Sequence, residues 1–316
     1  MLYFRKNLSL KTTLNSHFLR KFTQNLAIMT SLEKISALRQ KMTENHIDAF
    51  IVYSADPHMS EYLPKEWQER SWISGFTGSA GFVVFTKDKA GLWTDGRYFV
   101  QAAAELKDSG IELMKMGEEN TPDYIDWIIS QLPNGGKVAV NAVATSHANW
   151  EDLQQKLSRK NIELLDLPLL KDVWTNRNTD AQKNPVFVHP VERAGKSVAQ
   201  KLSDIRQKME DLEASVHVIS SLDDVAWTLN LRGSDVQSNP VFLGYVLLTK
   251  NEAKLFVDLE KLDVDARKQM DYSQVKMLPY EDFYTELQAI QNEKILVSPN
   301  SNQSIFEALK DKNTLI

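Results

Sequence analysis

The chain has 316 residues, 42% of them hydrophobic and 25% charged, with a formal net charge of −5, which is ordinary for a globular protein of about two domains. It contains no cysteine, so disulfides, thiolate metal sites and cysteine nucleophiles are excluded, and a reducing compartment is the simplest expectation. The sequence has neither a basic stripe with interleaved aromatic residues nor an apolar run of about 18 residues, so we expect no nucleic acid and no membrane as partners.

Residues 1–29 carry five cations and no acid. A basic, acid-free leader is typical of a mitochondrial presequence, which is one interpretation. The other is that Met29 is the true start and the leader is a gene-model extension. We favour the second, because Thr30 and Glu33 form a capping box that opens the first convincing helix. The leader is then disordered or not part of the protein, and the expected location is the cytoplasm, with the mitochondrion as the alternative.

Helices and strands alternate through residues 30–171, which we predict to be the first domain. Apolar residues at helical spacing and short bounded apolar runs give the elements. The predicted order is a helix with Leu32, Ile35, Leu38 and Met42 on one face, a strand Ala49–Tyr53, a hairpin of Phe82–Phe85 with Gly91–Trp93, a helix Arg97–Leu106, a strand Ile111–Met116, a helix from Pro122 to Leu132, a strand Val138–Val140, a helix from His147 and a strand Ile162–Leu167.

A mixed polar stretch with two prolines, residues 172–195, is the predicted linker. Residues 196–316 then form a second domain that we expect to be incomplete at its C-terminal side. Its predicted elements are a helix Val198–Leu212, a strand Val216–Ser220, a helix Asp223–Leu229, a hairpin of Phe242–Leu248 with Lys254–Asp258, a helix Glu281–Ile290 and a strand Ile295–Ser298.

The two predicted domains share a plan. Arg39–Met42 and Arg206–Met209 have the same sequence, Arg-Gln-Lys-Met, and a Gly-Ser loop and a hairpin ending in Leu-aromatic-x-Asp follow each of them. The spacing of about 160 residues is far longer than a solenoid repeat. We therefore predict two related α/β domains in tandem, each with a mixed β-sheet flanked by helices.

Few residues suggest chemistry. The six histidines show no metal-ligand spacing, the Gly75–Gly81 loop lacks the Gly-Lys-Ser/Thr of a phosphate cradle, and Asp223-Asp224 fits a helix N-terminus. We interpret all three as structural. Arg97 differs, because the segment Trp93–Phe99 brings a guanidinium to a predicted first helical turn, where the helix dipole disfavours it. Either Asp95 pairs with Arg97 or an external acceptor does, and the residues alone leave both alternatives open.

Several motifs in order resemble the cytosolic-type Xaa-Pro aminopeptidases (aminopeptidase P). They are Trp93–Phe99, Gly75–Gly81, Met114–Gly117, Val225–Asp235 and Asn239–Phe242. The resemblance implies two creatinase-N-type domains, which in that family precede a pita-bread catalytic domain holding two divalent metals, usually Mn²⁺. It also implies peptides with proline at the second position as substrates, and a substrate-binding role for Arg97.

The resemblance does not extend to a catalytic domain. We therefore expect no catalytic residue, no metal ligand and no bound cofactor in these 316 residues. The first hypothesis is an N-terminal portion of an Xaa-Pro aminopeptidase, inactive alone, that serves substrate gating and subunit contact for a missing catalytic domain in an enzyme expected to be a homo-oligomer. The alternative is a stand-alone, non-enzymatic creatinase-N module for peptide binding or assembly.

Overall fold

The computed structural model describes residues 29–177 and 184–316. Residues 1–28 of the expected leader 1–29, and residues 178–183 of the expected linker, lie outside the described part. Two six-stranded mixed sheets with helices against them form two units. The predicted α/β architecture of two tandem domains is confirmed.

The first unit contains six helices and six strands within the described residues. In order they are α1 (Ser31–Glu44), β1 (Ala49–Val52), α2 (Glu69–Ser74), β2 (Phe82–Thr86), β3 (Ala90–Thr94), α3 (Phe99–Glu105), β4 (Glu112–Lys115), α4 (Tyr124–Gln131), β5 (Lys137–Val140), α5 (His147–Ser158), β6 (Glu163–Asp166) and α6 (Leu170–Val173).

The second unit repeats this plan and adds a small two-stranded sheet. Its described elements are β7 (Phe187–Val188), α7 (Val191–Ala194), α8 (Val198–Asp211), β8 (Val216–Ile219), α9 (Leu222–Leu229), β9 (Leu231–Arg232), β10 (Gly244–Thr249), β11 (Ala253–Val257), α10 (Val264–Tyr272), β12 (Val275–Pro279), α11 (Phe283–Ala289), β13 (Lys294–Val297), α12 (Gln303–Leu309) and β14 (Thr314–Leu315). Strand β7, inside the expected linker, pairs with β9.

The two large sheets have the same topology. Their strand orders are β4-β3-β2-β1-β5-β6 and β12-β11-β10-β8-β13-β14. In both, the first strand pairs antiparallel with the hairpin and parallel with the strand on its other side, and the outer strands join in parallel. The repeat seen in the sequence is therefore a repeat of fold.

Each sheet is covered on both faces by apolar clusters. In the first unit, Phe50 and Phe85 face one cluster while Ile51 and Val84 face the other, as the alternation of side chains along a strand requires. The second unit has the same arrangement. Because both faces are buried, the strands appear in the sequence as continuous apolar runs rather than alternating ones.

The opening helices of the two units begin and pack alike. Thr30 and Glu33 form the predicted capping box of α1, and Ser197 with Gln200 forms the equivalent box of α8. Their side chains accept the orphan N–H groups of the first turn. The apolar face of α1 is buried except for Leu32, which is 55% exposed.

Four predicted helix starts are wrong by one or two residues. Helix α3 begins at Phe99, so Arg97 lies in the turn before it. Helix α4 begins after the cap Asp123 rather than at Pro122. Helix α9 is capped by Ser221, whose hydroxyl accepts from the N–H of Asp224. Helix α11 begins at Phe283 rather than at Glu281. Three of these starts were therefore placed too early and that of α9 one residue too late, because spacing alone does not mark the first residue of a helix.

The units contact each other through equivalent segments. The N–H of His147, at the start of α5, donates to the carbonyl of Ser301 at 2.9 Å, and the N–H of Gln303, at the start of α12, donates to the carbonyl of Thr145 at 2.8 Å. These helices follow the corresponding strands β5 and β13. The contact therefore has a local two-fold character, as in an isologous dimer interface.

Candidate substrate-contact site

Arg97 lies in the turn that joins β3 to α3. The carboxylate of Asp95, directly after β3, accepts from the Arg97 backbone N–H at 3.1 Å. The guanidinium then folds back onto the same carboxylate, with Nε to Oδ1 and Nη2 to Oδ2 both at 2.8 Å. This is a bidentate, charge-assisted pair built by a three-residue turn.

The pair is nevertheless open to solvent. The side chain of Arg97 is 68% exposed and that of Asp95 is 38% exposed. Hydrogen bonds from Arg97 lower the pKa of Asp95 to about 2, and the Asp95 carboxylate raises the pKa of Arg97. Both groups are therefore charged at neutral pH, and the guanidinium is held in one orientation at the surface.

The ring of Tyr98 connects this turn to the Gly75–Gly81 loop. The Arg97 guanidinium lies 5.2 Å from the Tyr98 ring centre, and the Tyr98 hydroxyl bonds the Ser79 hydroxyl at 2.6 Å. A Cβ at Gly78 would lie 2.3 Å from the ring of Phe76 and 2.7 Å from that of Tyr98. The loop therefore needs glycine for close packing, as predicted.

The equivalent turn in the second unit carries no arginine. Asp258 follows β11 as Asp95 follows β3, and its Oδ1 accepts from the N–H of Glu260 at 3.0 Å, which is the same i to i+2 bond. The position of Arg97 is occupied by Glu260. The turn is thus common to both units, whereas the guanidinium belongs to the first unit only.

Two of the described histidines lie at the contact between the units. His58 is buried where the units meet, with Nδ1 2.8 Å from the Ser220 carbonyl and Nε2 2.8 Å from the Tyr280 hydroxyl. His147 stacks on Phe306 across the same contact. Among the described residues no three His, Asp or Glu side chains come together as a metal site. The side chains of this part of the chain therefore do not fit a site for two divalent metals.

Sequence reasoning did not identify Arg70. Its guanidinium is 6% exposed and lies beneath the Gly75–Gly81 loop. It donates from Nε to the Ser54 hydroxyl at 2.9 Å, from Nη1 to the Phe76 carbonyl at 2.7 Å and from Nη2 to the Gly78 carbonyl at 2.5 Å. A single arginine in a polar segment carries no distinguishing signal, since its partners are backbone atoms of a loop whose shape the sequence does not reveal.

No helix among the described residues is long and apolar enough to cross a membrane. The expectation of no membrane partner rests on the lack of an apolar run of about 18 residues in the sequence.

Comparison with known proteins identifies both units. Models of the creatinase/prolidase N-terminal domain match residues 34–171 and 177–316. The chain is 36% identical over 286 residues to Aminopeptidase P2 of Arabidopsis thaliana, covering 88% of this chain and 40% of that protein. It is 35% identical over 298 residues to a probable Xaa-Pro aminopeptidase P of Laccaria bicolor, covering 91% and 46%. The chain thus spans less than half the length of these relatives.

A solved structure shows the same two-unit arrangement. The X-prolyl aminopeptidase of Caenorhabditis elegans, described as a cytosolic enzyme with a di-nuclear active site, superposes with a TM-score of 0.84 at 29% identity, over 91% of this chain and 50% of that one. The two family matches and this likeness cover the described residues in order. The chain belongs to the creatinase/prolidase N-terminal domain family, with the paired domains of an aminopeptidase P N-terminal region.

Proposed function

We propose that this chain is the non-catalytic N-terminal portion of a metal-dependent Xaa-Pro aminopeptidase, a hydrolase that removes the residue preceding proline. The curated relatives named above are Xaa-Pro aminopeptidases more than twice as long as the matched region. A catalytic part with two divalent metals, taken to be Mn²⁺, supplies the hydrolytic water in this proposal. The two units serve substrate gating and subunit contact in a cytoplasmic homo-oligomer.

The observation that best supports the proposal is that the Arg97 side chain is both fixed in position and exposed. Its bidentate pair with Asp95 fixes the guanidinium, yet most of the side chain faces solvent. An arginine offers five N–H donors, and Asp95 takes two of the side-chain donors, so others remain for a peptide carbonyl or carboxylate. A fixed, exposed fork is suited to substrate contact because little side-chain entropy is lost on binding.

The test joins this chain to the remaining part of the Arabidopsis relative. With Mn²⁺ we expect the chimaera to release the first residue from an Xaa-Pro tripeptide, and residues 1–316 alone to release none above the blank. The matched control is a peptide with alanine in place of proline, which the chimaera should leave intact. Metal-dependent turnover by residues 1–316, abolished by a chelator, contradicts the proposal.

A further inference from the structure

A cleft of about 300 Å³, lined by many polar residues, lies between the two units. Most of the lining residues belong to the first unit, and Gln237 and Ser238 belong to the second. The volume is at the lower end of the range for small-molecule sites. The lining residues used below are Glu61, Arg70, Ser71, Ser79, Gln237 and Ser238.

Arg70 is the cation of this cleft. Its side chain bonds a hydroxyl and two carbonyl oxygens, and no described carboxylate is hydrogen-bonded to it. Glu105, an acid that interacts with it electrostatically, is instead hydrogen-bonded to Thr77 and Gln101. Burial lowers the pKa of Arg70 to about 10, so the group is still charged at neutral pH. A buried cation without a paired anion is an expensive arrangement that an anionic ligand would relieve.

Arg70 also has donors to spare. Guanidinium has five N–H groups, and three of them are used, one on each nitrogen. One N–H on each of the two terminal nitrogens therefore remains without a partner in the described part of the chain. Free donors on a charged guanidinium suit an anionic acceptor such as a carboxylate, because hydrogen bonds between charged groups are the stronger ones.

The cleft is linked to the Arg97 turn through Ser79 and Glu61. Ser79 lines the cleft and bonds Tyr98, on whose ring the Arg97 guanidinium packs. Glu61, also in the lining, interacts electrostatically with Arg97. A ligand that touches Arg97 can therefore extend along Tyr98 and Ser79 to Arg70.

We propose that this cleft binds the C-terminal carboxylate of a short peptide on Arg70, with hydroxyls of Ser71 and Ser238 beside it, while the peptide's N-terminal side lies towards Arg97. The assignment of a carboxylate rests on the charge and the free donors of Arg70. The assignment of a peptide as the ligand rests on the proposed function. The site would favour peptides that end within reach of Arg70 over long or C-terminally blocked ones.

The test is calorimetric titration of residues 1–316 with the tripeptide Ala-Pro-Ala as the free acid, as the C-terminal amide, and with acetate and inorganic phosphate alone. We expect the free acid to bind at least about tenfold more tightly than the amide, since only the acid supplies the counter-charge. Gln237→Glu places a carboxylate in the cleft on an exposed residue, and should weaken the free acid about tenfold without affecting the amide.

Gln288→Glu, the same chemical change on the exposed side of α11, is the matched control and should leave both peptides unchanged. Equal affinity for acid and amide, or no effect of Gln237→Glu, overturns carboxylate binding in the cleft. Neither result bears on the Arg97 contact or on the activity of the chimaera. Acetate or phosphate binding as tightly as the peptide identifies a free anion as the ligand and overturns the peptide assignment. Failure of both peptides to bind also overturns it.

Discussion

At the scale of single residues, the Arg97 turn contains the internal pair with Asp95 and also leaves the guanidinium open to solvent. Asp95 does hold the guanidinium, as an internal pair would require, and the pair also faces solvent, as recognition would require. The sequence predicted the residues but not this combination. Solvent exposure depends on where β3 ends and α3 begins, and the sequence placed the start of that helix two residues early.

Gly78 offers a test of the loop that packs against this turn. Gly78→Ala puts a methyl group 2.3 Å from the buried Phe76 ring and 2.7 Å from the Tyr98 ring. Since neither ring is a flexible chain end, we expect the free energy of unfolding to fall by about 1–3 kcal/mol. The measurement is urea unfolding followed by tryptophan fluorescence.

Gly96→Ala is the control for that substitution, because its Cβ would meet only the Phe99 ring at 3.9 Å, an ordinary contact. It should change the free energy of unfolding by less than about 1 kcal/mol. Equal stability of Gly78→Ala and the parent protein contradicts the close packing described for this loop.

At the scale of elements, helices, strands and the duplication were predictable because they depend on local spacing. Buried strands such as β1 and β8 appear in the sequence as short, mostly apolar runs. The capping boxes that begin at Thr30 and Ser197 each lie within four consecutive residues. The helix start at Tyr124, after the cap Asp123, was missed by contrast, because Pro122 also suits a first helical turn. Spacing identifies an element more securely than its first residue.

The arginine of the Arg-Gln-Lys-Met repeat has one role in both units. Arg39 Nε donates to the carbonyl of Thr86 at 3.0 Å, and Arg206 Nε donates to the carbonyl of Thr249, also at 3.0 Å. Each acceptor is the last residue of the first hairpin strand, β2 or β10. The repeated arginine therefore ties the opening helix of each unit to its hairpin.

We expect Arg39→Met and Arg206→Met to destabilise the protein by similar amounts, about 1–2 kcal/mol each, because methionine keeps the aliphatic stem and removes the donor. Chemical denaturation of the two variants measures this directly. Arg159→Met, at an exposed arginine after α5, should be nearly neutral. A loss of stability in only one of these two variants would argue against a shared role for the two arginines.

At the scale of the whole molecule, the contact between the units was beyond sequence reasoning. His58 bonds Ser220 and Tyr280, which are 162 and 222 positions away. Such pairs leave no periodic signal, since each partner is an ordinary polar residue in its own segment. The cleft with Arg70 was missed for the same reason, because its lining residues come from both units.

The same contact predicts a pH dependence of stability. Burial lowers the pKa of His58, against an opposing effect of the Asp56 carboxylate, and Tyr245 and Tyr280 also pack on the ring. The folded protein therefore favours neutral His58, whereas the unfolded chain takes up a proton near pH 6.5. The contribution of neutral His58 to stability is therefore fully present above about pH 6.5. It is lost as the pH drops towards the lower folded-state pKa.

We expect the melting temperature of the parent protein to fall more steeply between about pH 7.5 and 5.5 than that of His58→Asn, which cannot titrate there. His217, whose pKa is also lowered by burial, remains in both proteins and contributes equally to both curves. Scanning calorimetry across this range gives the two slopes. Parallel curves would show that His58 has the same pKa in the folded and the unfolded chain, and would contradict the lowering by burial.

The most direct test of the central claim is the kcat/KM of the chimaera carrying Arg97→Lys on an Xaa-Pro tripeptide. Lysine keeps the charge but cannot reproduce the bidentate fork, so we predict a loss of about tenfold or more with an unchanged melting temperature, as expected for an exposed side chain. Gln288→Glu in the same chimaera is the control for activity. A kcat/KM equal to the parent's, or a loss of activity matched by a loss of stability that Asp95→Asn reproduces, would show that Arg97 serves only its own turn.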